Sequence, residues 1–65
     1  MTLQEAKQRA RSASNRAVRY ADELLKTTAP TEARLLADEL DAAARELSAA
    51  SLIIVQRLSE LPPAA

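Results

Sequence analysis

Small and apolar residues recur at alternating spacings of three and four along the first half of the chain. The seven members of this stripe are Leu3, Ala6, Ala10, Ala13, Ala17, Tyr20 and Leu24. Because this spacing keeps every member on one side of an α-helix, it predicts an amphipathic helix over about residues 2–27. Most of the stripe is alanine, so a partner helix can approach closely while each contact buries little area.

The second half of the chain has a matching stripe with larger side chains. Its members are Ala33, Leu36, Leu40, Ala43, Leu47, Ala50, Ile54, Leu58 and Leu61. The stripe predicts a second helix over about residues 31–61, which Pro62 and Pro63 end, leaving a proline-rich tail at 62–65. Leucine side chains of the second helix suit the alanine-lined surface of the first. Leu24 and Leu25 are expected to thicken the core near the turn.

A break between the stripes falls at Lys26–Thr31. Pro30 is excluded from a helix interior but suits a first helical turn, and either Thr28 or Thr31 is able to cap the second helix. Two long helices joined by a turn at about 28–31 must lie antiparallel. The sequence therefore predicts an all-α fold, a single two-helix antiparallel hairpin over residues 1–61.

The second helix has more apolar surface than a hairpin can cover. A further stripe lies about 135° around the helix, and Leu52 points in another direction again. The members of this stripe are Leu35, Ala42, Ala49 and Ile53. We favour its burial in a homo-oligomer; a docking groove for another protein is the alternative. A membrane-surface role is disfavoured because interfacial aromatic residues are missing.

The charges favour one orientation of such an oligomer. Residues 1–21 contain five basic side chains against Glu5 alone, whereas residues 22–46 contain seven acidic against three basic. Hairpins packed antiparallel set unlike ends together, which predicts an antiparallel homodimeric four-helix bundle of coiled-coil type. Its oligomer seam is expected to comprise Leu3, Ala6, Ala10, Ala13, Ala17, Tyr20, Leu24, Leu36, Leu40, Ala43, Leu47, Ala50, Ile54, Leu58 and Leu61. Local support at i, i+4 is expected from Glu5–Arg9, Asp22–Lys26 and Asp41–Arg45.

The amino-acid composition limits which kinds of functional site the chain is able to form. The chain has 65 residues, no Cys, no His and a formal net charge of zero. Disulfides and a structural zinc site are therefore excluded, and the commonest catalytic bases and nucleophiles are missing. We expect no enzyme, no metal and no cofactor, and we interpret Asp38, Glu39 and Asp41 as a solvated face. The polar N-terminus and the short apolar run Ala49–Val55 indicate a cytoplasmic protein without a membrane segment.

Three arginines of the first helix form the main candidate for binding chemistry. Arg9 and Arg16 share a solvent-facing line, and Arg19 lies further round. Guanidinium groups suit phosphate contacts, but no aromatic residues alternate with them to stack on bases. We favour a solvated face or salt bridges between protomers over a nucleic-acid contact. Tyr20, the sole aromatic residue, is interpreted as a space-filling seam residue, with a partner contact as the alternative.

Short stretches of both helices match a known pattern. Met1-Thr2 and Gln4-Glu5 open the chain, and Leu40, Ala44, Glu46 and Leu47 follow an L-x-x-x-A-x-E-L pattern. In these residues and in its plan the chain resembles the Rop family of small RNA-binding hairpins, which implies an antiparallel four-helix bundle. The positions that contact RNA in that family would fall at Leu3, Ala10, Ser14, Val18 and Leu25. None keeps that chemistry, so the resemblance extends to architecture and not to RNA binding.

These observations favour a non-enzymatic protein-binding or regulatory module that self-associates. The candidate partner surface comprises Leu35, Leu52, Ile53, Arg9, Arg16 and Arg19. A nucleic-acid-binding bundle that uses the arginine face is the alternative function. A designed hairpin without biological function is a third reading, which the absence of Gly suits.

Overall fold

A computed structural model describes residues 1–62 and shows two α-helices, α1 (Leu3–Lys26) and α2 (Pro30–Ser59). They pack along each other as an antiparallel hairpin with principal extents of 55 × 15 × 14 Å. The predicted all-α hairpin is confirmed. The second helix begins at Pro30 and ends at Ser59, whereas the sequence predicted about 31 and about 61. The tail predicted at 62–65 lies, except for Pro62, outside the described residues.

The start of α1 is fixed by a reciprocal pair of hydrogen bonds. The Glu5 backbone N–H donates to Thr2 Oγ1 at 3.1 Å, and the Thr2 backbone N–H donates to Glu5 Oε1 at 3.2 Å. The hydrogen bond from the Thr2 backbone is the main reason that the pKa of Glu5 lies below its ordinary value. This capping box satisfies two otherwise orphaned donors. The Glu5 carboxylate is held by Thr2 and forms no ion pair with Arg9. The Glu5–Arg9 pair that the spacing predicted is therefore wrong.

The connection between the helices is short and extended. Thr27 and Ala29 have φ/ψ of −75°/146° and −91°/119°, and no described residue has a positive φ. Pro30 occupies the first turn of α2, as predicted. The predicted cap is wrong: Ala29 holds the N-cap position and makes no side-chain hydrogen bond. A residue before proline prefers this extended backbone, so Pro30 fixes Ala29, one residue past Thr28, as the N-cap.

The core lies where the two stripes face each other and is built from small side chains. Its buried members are Ala6, Ala13, Leu36, Ala43 and Ala50. Leu24 is half-buried, as expected near the turn, but Leu25 is 86% exposed. The expectation that Leu25 thickens the core is therefore wrong, because Leu25 comes one position after the seam residue Leu24 and is rotated away from α2.

At the open end, Arg57 takes the position that the pattern assigned to leucine. Its Nε donates to the Met1 carbonyl oxygen at 3.1 Å and its Nη1 pairs with Glu60 at 3.1 Å. Alternating spacing after Ile54 leads to residue 57, so Leu58 is 49% exposed and Leu61, beyond the end of α2, is 56% exposed. Neither leucine contributes to the buried contact between the two helices; their place in an oligomer seam stays a prediction.

Candidate interaction surfaces

The hairpin has two broad faces that the seam residues separate. Because the helices run antiparallel, residues that follow a seam position lie on the same face on both helices, and residues that precede one lie on the other. The first set, which we name the apolar face, comprises Gln4, Lys7, Arg11, Ser14, Val18, Ala21 and Leu25 of α1 and Arg34, Ala37, Asp41, Ala44, Ser48, Ser51, Val55 and Leu58 of α2. The second set, the charged face, comprises Glu5, Arg9, Ser12, Arg16, Arg19 and Glu23 of α1 and Glu32, Leu35, Glu39, Ala42, Glu46, Ala49, Ile53 and Gln56 of α2.

The two faces differ sharply in charge. Four of the 15 positions on the apolar face are ionisable, against eight of the 14 on the charged face. Five of the six predicted partner-surface residues lie on the charged face, namely Arg9, Arg16, Arg19, Leu35 and Ile53. Leu52 lies on the outer side of α2 and is 69% exposed. The hairpin thus places on one face the arginines of α1, which were predicted from their charge, and two residues of α2, which were predicted from an apolar stripe.

On the charged face, Arg16 joins the two helices. Its Nη2 pairs with Glu46 Oε2, and this is the one interhelical ion pair among residues 1–62. The hydrogen bond to Glu46 is the main cause that raises the pKa of Arg16. Both side chains are roughly half-exposed, so the pair adds little to stability. Its effect is to favour the register that sets Arg16 of α1 beside Glu46 of α2. Arg16 is therefore held within the hairpin, whereas a salt bridge between protomers was one of the predicted roles.

The outer side of α1 has a shallow depression lined by arginine and amide side chains. Its volume is about 340 Å³, and its lining comprises Gln8, Arg11, Ser12, Asn15, Arg16 and Arg19. The Arg19 guanidinium lies 5.4 Å from the centre of the Tyr20 ring, within the range of a cation–π contact. Arg9 does not line the depression; Arg11 does. The sequence offered a signal for Arg11, since Arg11, Asn15 and Arg19 follow one another at spacings of four.

Large aliphatic side chains on the apolar face are unpartnered within the hairpin. Val18 is 68% exposed, Leu25 86%, Val55 62% and Leu58 49%. Neither Val18 nor Val55 belongs to one of the two main stripes or to the further stripe of the second helix, so periodicity did not mark either as a partner-surface residue. Their common signal is that each directly follows a seam residue, Ala17 and Ile54.

Two of the three clustered acidic residues at 38–41, Asp38 and Asp41, form surface ion pairs. Asp38 lies 3.8 Å from Arg34, and Asp41 lies 2.9 Å from Arg45. The predicted Asp22–Lys26 and Asp41–Arg45 supports are confirmed, each at 2.9 Å. No cluster of three or more potential metal ligands occurs within residues 1–62. Neither α1 nor α2 is apolar enough over a sufficient length to span a bilayer.

The chain matches no protein-family model, no curated protein and no solved structure. The resemblance to the Rop family therefore rests on the hairpin plan and on the few residues quoted above.

Proposed function

We propose that this chain is a non-enzymatic interaction module that self-associates as an antiparallel four-helix bundle and binds another protein through its remaining helix surfaces. The observation that supports it is the imbalance between buried and exposed apolar side chains. Four alanines and one leucine make up the buried core, whereas eight large apolar side chains are at least 41% exposed.

Such a hairpin gains little from its own core. A buried alanine contributes one methyl group, and burial stabilises by about 0.8 kcal/mol per CH₂-sized group. Chains of this length bury only about 60% of their unfolded surface, and small domains without disulfides or metals commonly depend on oligomerisation. A second copy supplies the missing apolar contacts, so self-association and stability are expected to be coupled.

Molar mass by light scattering after size exclusion, over a dilution series, tests the proposal. We expect the mass of two chains of 7.0 kDa. We also expect a Tm that falls as the protein is diluted, because folding and association are linked. A well-folded monomer with a concentration-independent Tm would contradict self-association.

A nucleic-acid-binding bundle is the second candidate, and the arginine-lined depression on α1 favours it. Arg11, Arg16 and Arg19 converge there with amide side chains that are able to donate to phosphate oxygens. If this function holds, Arg11→Glu together with Arg19→Glu abolishes binding to a duplex RNA or DNA probe, and wild-type affinity falls steeply with salt. Arg34→Glu together with Arg45→Glu, at two exposed arginines of α2, is the control with the same change in net charge. Equal binding by all three proteins, or no binding by the wild type, removes this candidate.

A further inference from the structure

We propose that the second copy docks on the apolar face, with the turn of one hairpin beside the open end of the other. This inference rests on the self-association in the proposed function and specifies its surface and its orientation. It also assigns the charged face to the outside of the bundle, where a different protein is able to bind it.

The exposed side chains of the apolar face select it over the charged face. Val18, Leu25, Val55 and Leu58 project from it, two from each helix, so a partner that covers this face contacts α1 and α2 together. Seven positions of this face lie directly beside the seam, and five of them are small, namely Ser14, Ala21, Ala37, Ala44 and Ser51. The other two, Lys7 and Leu58, lie near the open end. Small central residues flanked by aliphatic side chains allow two hairpins to approach closely, as helices of a four-helix bundle do.

The charged face is poorly suited to a second copy. The α2 residues that lie directly beside the seam on this face include Glu32, Glu39 and Glu46. Of these three, only Glu46 pairs with a basic side chain. A two-fold interface buries the same surface on both partners, so docking on this face would desolvate eight ionisable side chains from each chain, against four on the apolar face. Charges that are desolvated at an interface without a well-placed partner oppose association.

The area of one face matches what a stable dimer needs. The hairpin extends 55 Å along its axis and 15 Å across, so one broad face offers on the order of 800 Å². Standard protein–protein interfaces bury about 800 Å² from each partner. A second copy therefore fits the face along its whole length.

The charge distribution along the hairpin selects the antiparallel orientation. The turn half, residues 15–46, contains five basic and seven acidic side chains, a net charge of −2. The open half, residues 1–14 and 47–62, contains four basic and two acidic side chains, a net charge of +2. Antiparallel docking sets each negative half beside a positive half, whereas parallel docking stacks like on like.

Matched lysine substitutions on the two faces test the docking surface. Leu25→Lys and Leu35→Lys each place the same charge at an exposed leucine in the turn half, on the apolar and charged faces respectively. Val55→Lys and Leu52→Lys form a second pair, at exposed positions three residues apart on α2. We expect Leu25→Lys and Val55→Lys to raise the dimer dissociation constant at least about tenfold, and the two controls to change it less than about threefold.

The readouts are equilibrium sedimentation and helical circular dichroism, measured at a concentration where wild type is dimeric. A wild-type monomer would overturn the proposed self-association itself. A wild-type dimer that Leu35→Lys or Leu52→Lys dissociates, while Leu25→Lys and Val55→Lys leave it intact, would overturn only the choice of face. Loss of helix in an apolar-face variant that recovers at higher concentration supports the proposal, because it shows folding coupled to association.

Orientation is read separately from a spin label at Thr28→Cys, since the chain has no native cysteine. Antiparallel docking places the two turns about one helix length apart, roughly 35–45 Å. A distance below about 20 Å would overturn the antiparallel orientation while leaving the choice of face standing.

Discussion

Alanine at the buried seam positions sets how closely α1 and α2 approach. Ala6 and Ala13 are fully buried against α2, and Ala43 and Ala50 are nearly so. A methyl group fills little space, so the two backbones lie close together and, among residues 1–62, no larger side chain is fully enclosed. The seam is therefore sensitive to added volume more than to lost volume.

Replacing Ala13 by Leu is expected to lower the free energy of unfolding by about 1–3 kcal/mol, because three extra carbons have no space between the helices. Urea denaturation followed by circular dichroism measures the change. Ala42→Leu adds the same carbons on the exposed charged face and is expected to change stability by less than about 0.5 kcal/mol. Equal effects from the two substitutions would mean that the seam is loosely packed.

The two helices begin in different ways. At α1, Thr2 and Glu5 exchange hydrogen bonds, whereas Ala29 offers no side-chain oxygen to the first turn of α2. Ala29 nonetheless has the extended backbone that an N-cap requires. The start of α2 thus depends on Pro30 and on packing, and it leaves a stabilising interaction unused.

Ala29→Asp should supply that interaction, since an N-cap carboxylate accepts hydrogen bonds from backbone N–H groups of the first turn. We expect a gain of about 1 kcal/mol in the free energy of unfolding, seen as a raised Tm at constant protein concentration. Thr28→Asp introduces the same charge one residue earlier and separates the effect of the helix dipole from that of the hydrogen bond. A gain that is no larger for Ala29→Asp than for Thr28→Asp would rule out capping as the cause.

At the scale of the whole molecule, the alternating stripes were sufficient to predict two helices and their antiparallel arrangement. They were not sufficient at the end of α2, where spacing and hydropathy disagree. The step of four from Ala50 to Ile54 is followed by a step of three to Arg57, but hydropathy favoured Leu58, a second step of four. The ion pair and the hydrogen bond to Met1 that hold Arg57 at the open end depend on three-dimensional proximity.

The candidate surfaces were predictable in part for the same reason. Sequence alone nominated Arg9, Arg16 and Leu35, but whether they share a face depends on the antiparallel register between the helices. That register also brings Arg16 to Glu46, thirty positions away along the chain. Val18 and Val55 were missed because single valines carry no periodic signal until the seam of both helices is known.

Pro30 decides whether the two stripes are able to face each other at all. Without it, Lys26–Glu32 contains no residue that prevents α1 from continuing into α2, and one unbroken rod would present both stripes along its length. Leu24 and Ala33, the nearest members of the two stripes, are nine residues apart, which is about 900° at 100° per residue, so the stripes would lie on opposite sides of that rod and no single antiparallel partner could cover both. The ring of Pro30 lacks an N–H and disfavours helical backbone at Ala29, so it breaks the rod there. One side chain thus keeps the seam within a single chain and leaves a whole broad face for a second copy.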